Sequence, residues 1–359
     1  MTATTTDTAT APNAPAVSDG IDPGSPGLPA GARLMTGVKP TGRLHLGNLL
    51  GAVLPYLRLA GQTETSYLGV MDLHAMTVTH DPRELATRTR EMFALLLACG
   101  TDPNRTVMFV QSHVPAHTEL AYLIECLAHV GEMTRMVQFK DKSDGTGDDG
   151  TRLSLLTYPA LMVADVLAYR TTHVPVGADQ KQHLELARTV ARRANRRYGD
   201  VFTVPAPIVP AAGSRVMALD DPTRKMGKTG STDAGTVGLL DDEATVRRRF
   251  ARAVTDPFGE VRYAPVDQPG VANLLGVLGA LTGQDPAGLS PGFARYSDLK
   301  TAVADETVTV LAQIRSRYAA VIGDPSGLDR LIRVGAERAQ EVAGETVRDA
   351  KRALGLLPP

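Results

Sequence analysis

Met35-Thr-Gly-Val-Lys-Pro-Thr-Gly-Arg-Leu-His-Leu-Gly-Asn48 is the stretch on which the fold turns. Leu34, Met35 and Val38 lead into it, and Gly37, Pro40 and Gly42 punctuate it. Leu46, Leu49, Leu50, Val53, Leu54 and Leu57 follow at helical spacing. The pattern predicts a buried strand over 32–38, a tight turn and an amphipathic helix over 44–60. A turn of this kind aims free amides and the positive end of a helix at the space above the strand, which suits phosphate. His45, expected one turn inside the helix, adds a donor there, and Gly47 lets another group approach the backbone. Neither a P-loop nor a Gly-x-Gly-x-x-Gly fingerprint is present. On its own the stretch equally fits an ordinary strand-to-helix turn with a surface histidine.

Beyond it the same alternation continues. Tyr67-Leu-Gly-Val-Met-Asp72 reads as a second buried strand running into His74, and a helix follows over 82–99. Thr106-Val-Met-Phe-Val-Gln111 reads as a third strand, then a helix over 116–130. Strands alternating with helices imply a parallel sheet with right-handed crossovers, and ligands in such sheets sit beyond the carboxyl ends of the strands. Gly37, His74 and Gln111 all fall at strand ends and are expected to meet at one crevice. Asp144-Gly-Thr-Gly-Asp-Asp-Gly150 predicts a mobile surface loop, with Lys140 and Lys142 at its start.

Leu153 to Tyr169 forms an apolar helix with a single charge, Asp165. A lone carboxylate there costs free energy unless it is paired, so it either caps a structural network or binds a ligand donor. Met162 shares its face. Val174-Pro-Val-Gly177 predicts another short strand entering a helix, with Asp179 and Gln182 spaced as a capping box and Gln180 facing the crevice. After an edge segment over 201–209 comes Asp220-Asp-Pro-Thr-Arg-Lys-Met-Gly-Lys-Thr-Gly-Ser-Thr232. Lys225 and Lys228 with nearby hydroxyls suit a leaving polyphosphate; a solvated basic loop is the plain alternative. From Asp241 the pattern is almost wholly helical. Arg192, Arg193, Arg196 and Arg197, and Arg247, Arg248, Arg249 and Arg252, form two basic groups. Each is either a solvated face or a set of phosphate contacts.

The whole chain bounds these readings. Its 359 residues, 43% apolar and 21% charged, suit one or two globular domains with a substantial core. A net charge of −1 leaves no global footprint for nucleic acid, so such a partner must meet local patches. Cys99 and Cys126 lie in apolar runs without metal-ligand spacing, so no metal site is expected. Residues 1–30, rich in Ala, Thr, Pro and Gly, lack a charged start and an apolar core, and predict a disordered tail rather than a signal peptide. No apolar run is long enough to cross a bilayer, and a cytoplasmic protein is expected.

Read together, the motifs resemble the class I aminoacyl-tRNA synthetases, in particular the tryptophanyl-tRNA synthetase family. Pro40-Thr-Gly-Arg-Leu-His-Leu-Gly-Asn48 is similar to the first class signature, and Lys225-Met-Gly-Lys-Thr229 to the second, Lys-Met-Ser-Lys-Ser. Tyr158-Pro-Ala-Leu-Met-Val-Ala-Asp165 and Val174-Pro-Val-Gly-Ala-Asp-Gln-Lys-Gln-His183 resemble segments of the tryptophan enzymes. So do Leu239-Leu-Asp-Asp242, Ala253-Val-Thr-Asp256 and Pro269-Gly-Val-Ala-Asn-Leu-Leu275. The match runs in order from about residue 34 to the C-terminus.

The resemblance implies an α/β fold: a Rossmann-type parallel-sheet catalytic domain over 31–219, with a dimer-forming insertion around 112–155. A mobile lysine loop over 220–235 and a helical anticodon-binding region over 236–359 follow. It implies that L-tryptophan and ATP form tryptophanyl-adenylate and that tryptophan then passes to tRNA(Trp). ATP would arrive with Mg²⁺, with no tightly bound cofactor, and the protein would be a homodimer. His45, Asn48, Lys142, Lys225 and Lys228 would carry the catalytic roles. Gly37, Lys39, Thr41, Gly42, Gly47, Gly177, Asp179, Val216, Met226 and Thr229 would complete the ATP site. Asp165 and Met162 would read the tryptophan ring, and Tyr158 and Gln180 would place its amino group. Met35, Gly37, His74, Val174 and Val176 would complete that pocket. An indole nitrogen is a donor only, so an acceptor carboxylate suits it.

Two departures stand out: Gly227 and Thr229 where serines are usual, and Lys39 where many relatives carry glutamine. They imply altered ATP handling, or a specialised second copy with different inhibitor sensitivity. The alternatives are a tyrosine-specific relative, another nucleotidyltransferase, or a catalytically silent sensor of tryptophan or tRNA. A shared crevice is expected to place the Asp165 helix and the His45 turn on one side of the sheet, and on this reading a placement on opposite sides rules the shared site out.

Overall fold

The computed structural model describes residues 28–137, 139, 152–177, 181–208, 215–227 and 234–357. Lys142, Asp179, Gln180, Lys228 and Thr229 lie outside the described residues, as does the tail before residue 28.

Five strands, β1 (Arg33–Val38), β2 (Thr65–Val70), β3 (Thr106–Val110), β4 (His173–Pro175) and β5 (Ala206–Ile208), form one parallel sheet in the order β3-β2-β1-β4-β5. The topology reverses between β1 and β4, the point at whose carboxyl edge ligands bind in sheets of this kind. β1 and β2 pair from Arg33↔Thr65 to Val38↔Val70. This register sets Gly37 beside Gly69, and the Met71 side chain crosses both positions where a Cβ would stand.

The first helix does not run regularly over 44–60. α1 (Leu46–Asn48) passes into a widened π turn over Leu49–Val53 and then into α2 (Leu54–Ala60). Leu54 N–H reaches back to Leu49 O, and Pro55 has no N–H to rebuild the narrower spacing. Next come α3 (Asp72–Ala75) and α4 (Pro82–Ala98), the latter capped by Asp81, which accepts from Arg83 N at 2.8 Å. The expected 116–130 helix divides into α5 (Ala116–Glu125) and α6 (Val130–Met133). α7 (Leu153–Leu167) and α8 (Lys181–Tyr198) lead to the C-terminal helices. These are α9 (Glu243–Ala251), α10 (Pro269–Thr282), α11 (Pro286–Leu289), α12 (Tyr296–Gly323) and α13 (Pro325–Ala353).

Alternation along the strands divides the core. Leu34, Leu68 and Met108 face α1, α2 and α4, and this half continues without a break into Val246, Leu274, Leu299 and Leu311 of the C-terminal helices. Met35, Tyr67 and Phe109 face α5, α7 and α8. The Asp165 helix and the helix after the His45 turn therefore pack on opposite faces, contrary to expectation. In a doubly wound sheet, turns at the carboxyl edge reach one crevice from either face; a shared edge, not a shared face, is what the site needs.

Candidate active site

The site is built at the carboxyl edge from the segments that leave each strand. His45 is not one turn inside a helix. It is the extended residue that starts α1 (φ −128°, ψ 169°), and it is almost wholly buried. Its N–H donates to Asn48 Oδ1 at 3.2 Å, so the asparagine closes the turn that carries the histidine. Gly42 adopts φ +66°, a conformation glycine takes without strain. Gly47 lies where an added Cβ would come within 3.1 Å of His45 Nδ1 and 3.4 Å of Met226 Cβ.

That contact joins the two signatures. Leu46 N–H donates to Val237 O at 2.8 Å and Leu239 N–H to Leu44 O at 3.0 Å, so the segment after the lysine loop pairs with the first turn. At the loop's start, Met226 N–H donates to Val216 O at 3.0 Å. Val216 and Met226 are buried in the core. Lys225, which precedes Met226, is exposed. Asn273, which the residue pattern gave no role, clasps this strand-like entry. It accepts from Met217 N at 2.8 Å and donates to Met217 O at 3.1 Å. Gly270 is needed because a side chain there would strike Val254 O. The segments around 253–256 and 269–275 are thus structural supports of the loop.

On the opposite face Tyr158, Met162 and Asp165 form one stripe of α7, the first two half-buried and Asp165 buried. Asp165 is not solitary. Its Oδ1 accepts from Gln111 Nε2 and from His117 Nδ1, and Oδ2 from His74 Nε2, each at 2.7 Å. Burial alone would raise its pKa. Its interaction with His74 and the hydrogen bonds from His117 and His74 outweigh burial and hold it well below the usual carboxylate range. The donors are fixed by a reciprocal clamp after β2 and β3. Leu73 N–H donates to Gln111 Oε1 at 3.1 Å, and Ser112 N–H to Asp72 Oδ1 at 2.9 Å. Gln111 therefore turns its NH₂ toward Asp165.

Tyr158 Oη lies 2.8 Å from His183 Nε2, and the Tyr158 ring stands edge-on to His74 at 6.4 Å. Burial pushes the Tyr158 phenol up to about 12. Met35, Val174 and Val176 are core residues beneath α7, while Gly177 is exposed at the edge of the described chain. Gly37 opens at the end of β1; Lys39 and Thr41 follow it, half-buried. His117 and Tyr169 were not legible as site residues. A histidine in the first turn of an amphipathic helix and a tyrosine after an apolar one carry no distinguishing signal.

The arrangement offers an acceptor-only carboxylate on one side of the crevice, and a helix start, a buried imidazole and a lysine on the other. It is suited to hold an aromatic donor beside a polyphosphate. A family model described as tRNA synthetases class I (W and Y) matches residues 30–312. The chain belongs to this class I synthetase family. Within the family it is similar to "Tryptophan--tRNA ligase 1" of Streptomyces coelicolor, 47% identical over 329 residues that span 91% of this chain and 98% of that one. The fold is similar to that of the tryptophanyl-tRNA synthetase of Mycoplasma pneumoniae, with a TM-score of 0.82, 33% identity and coverage of 91% and 98%. The Campylobacter jejuni tryptophanyl-tRNA synthetase, solved with ADP and tryptophan, matches at a TM-score of 0.75 with 27% identity over 90% of this chain and all of its own.

Three arginines of the two groups are engaged in ion pairs within the chain. Arg193 pairs with Glu132, Arg247 with Glu243 and Asp305, and Arg249 with Asp241. Among the described residues no cluster of His, Cys, Asp and Glu is placed to hold a metal, and no helix is long and apolar enough to cross a membrane.

Proposed function

We propose that the chain is a tryptophan–tRNA ligase: it activates L-tryptophan with ATP and passes the aminoacyl group to tRNA(Trp). The observation that carries the choice of tryptophan is Asp165, an ionised, buried acceptor beside the half-open Tyr158–Met162 stripe. An indole N–H meets that acceptor. A phenylalanine ring would bury the carboxylate's remaining lone pair without a partner, at a cost of roughly 1–3 kcal/mol.

The tryptophan carboxylate, already ionised, attacks the α-phosphorus in line. An O–P bond forms, the bond to the bridging oxygen breaks, and the electron pair leaves with pyrophosphate. No protein nucleophile is needed, so catalysis is positioning and charge stabilisation. His45 and Asn48 hold the nucleotide at the turn, and Lys225, with Lys142 and Lys228, takes up the charge on the departing phosphates. Mg²⁺ enters as the counter-ion of ATP. Gly37, Lys39, Thr41, Gly42, Gly47, Gly177, Asp179 and Thr229, with the backbone at Val216 and Met226, complete the ATP site. Tyr158 and Gln180 orient the substrate ammonium. A terminal ribose hydroxyl of tRNA then attacks the acyl carbon, and AMP leaves.

A homodimer fits the apolar side chains left open between 112 and 155: Tyr122, Val130, Val137 and Leu153 are 65, 72, 55 and 73% exposed. The helices after residue 236 are assigned to the anticodon, and the protein to the cytoplasm. ATP–pyrophosphate exchange tests the assignment. It should require tryptophan, fail with tyrosine, and fall roughly a hundredfold or more in Lys225→Ala. Tryptophan binding without exchange would identify a sensor instead, and exchange with tyrosine would reject the assigned specificity.

A further inference from the structure

Two buried side chains have no part in the chemistry above, yet they stand directly behind Asp165. His117 is completely buried and bridges Asp165 Oδ1 at 2.7 Å through Nδ1 and Tyr169 Oη at 2.7 Å through Nε2. Both rings are clamped. His117 stacks on Phe109 with centroids 5.3 Å apart, and Tyr169 stacks on Tyr67 at 4.3 Å. Neither ring can swing without displacing the floor of β2 and β3.

A carboxylate offers about four lone-pair directions. Gln111 and His117 fill both on Oδ1, and His74 fills one on Oδ2, which leaves one on Oδ2 for a ligand. The terminal torsion of an aspartate is soft, so this open direction is fixed only as well as the donors fix it. Two donors on Oδ1 hold the group against rotation better than one.

The donor must also be the right tautomer. A neutral imidazole carries one proton, and its other nitrogen accepts. Burial and the Asp165 charge keep the Tyr169 phenol protonated well above its ordinary range, so its O–H can donate to Nε2. That contact leaves the ring proton on Nδ1, facing Asp165. The reverse tautomer would set two acceptors against each other at 2.7 Å.

We propose that His117, locked in one tautomer by Tyr169, is a positioning residue that aims the open lone pair of Asp165 at the N–H of the aromatic substrate. The pair acts through Asp165 and touches no substrate, and the inference rests on reading this crevice as the tryptophan site.

The test compares tryptophan with its benzothiophene analogue, which has sulfur in place of the indole N–H and asks for no acceptor. Pyrophosphate exchange gives kcat/KM for each in the full-length enzyme. His117→Leu should lower the preference for tryptophan roughly tenfold or more, through the KM for tryptophan and not that for ATP. His117→Asn, whose amide N–H can stand in for Nδ1–H, should restore most of it. Tyr169→Phe, smaller by one oxygen, should lower the preference while staying folded at the assay temperature. An unchanged preference in Tyr169→Phe or in a folded His117→Leu would overturn the proposal. So would equal losses in Leu and Asn, which would mark a packing role. Absence of exchange in the unaltered enzyme would instead reject the tryptophan reading itself.

Discussion

Asp165 concentrates the energetics of the site in one residue. An ionised carboxylate at 3% exposure is tolerable only because three donors replace its water. Its pKa is depressed in the folded chain, so its extra stabilisation is fully present above the ordinary carboxylate value and drains away as pH falls below it. Asp165→Asn sets an amide NH₂ against those donors. Urea unfolding should therefore show a stability gap between wild type and Asp165→Asn that is widest near neutrality and narrows below about pH 4. A gap independent of pH would mean that charge is not what the donors stabilise. Asp165 was legible in the sequence because a single charge in an apolar helix demands an explanation. Its partners were less so. His74 and Gln111 showed as strand-end residues, but His117 lies 48 positions from the carboxylate it serves, and only the folded chain brings them together.

At the scale of elements, the C-terminal helix was readable from its apolar period over 328–354, but its docking place was not. α13 lies along the edge strand β3 so closely that a Cβ on Gly335 would fall on the carbonyl of Met108. Gln340 Oε1 accepts from Ala116 N at 3.2 Å, one residue before His117. Lys351 pairs with Glu119, and Arg90 with Asp329. A helix assigned to tRNA thus braces β3 and α5, the elements that carry two donors of Asp165. Gly335→Ala should cost about 1–3 kcal/mol, because backbone rather than a flexible side chain must yield. Thermal unfolding checks this; an unchanged midpoint would mean that α13 does not bear on β3. A glycine inside a helix gives no hint in sequence whether it serves packing. The reason lies 227 residues away along the chain, at Met108.

For the whole molecule, alternating strands and helices made the parallel sheet legible, and the strand ends supplied two partners of Asp165, His74 and Gln111. The division of the two faces was not legible, since apolar runs buried on both sides carry no period that assigns a face. The strand order β3-β2-β1-β4-β5 resolves it. The helix after the His45 turn packs on one face and the Asp165 helix on the other, with the switch point between β1 and β4. The central claim is that this crevice binds tryptophan through Asp165. The chain contains nine tyrosines and no tryptophan, so bound substrate is the only indole present. Tryptophan excited at the red edge, beyond tyrosine absorption, can be titrated with the protein and followed by its own emission anisotropy. Saturable binding should appear with the wild type and weaken roughly tenfold or more in Asp165→Ala. Equal binding by the two proteins, or none by the wild type, would contradict the account.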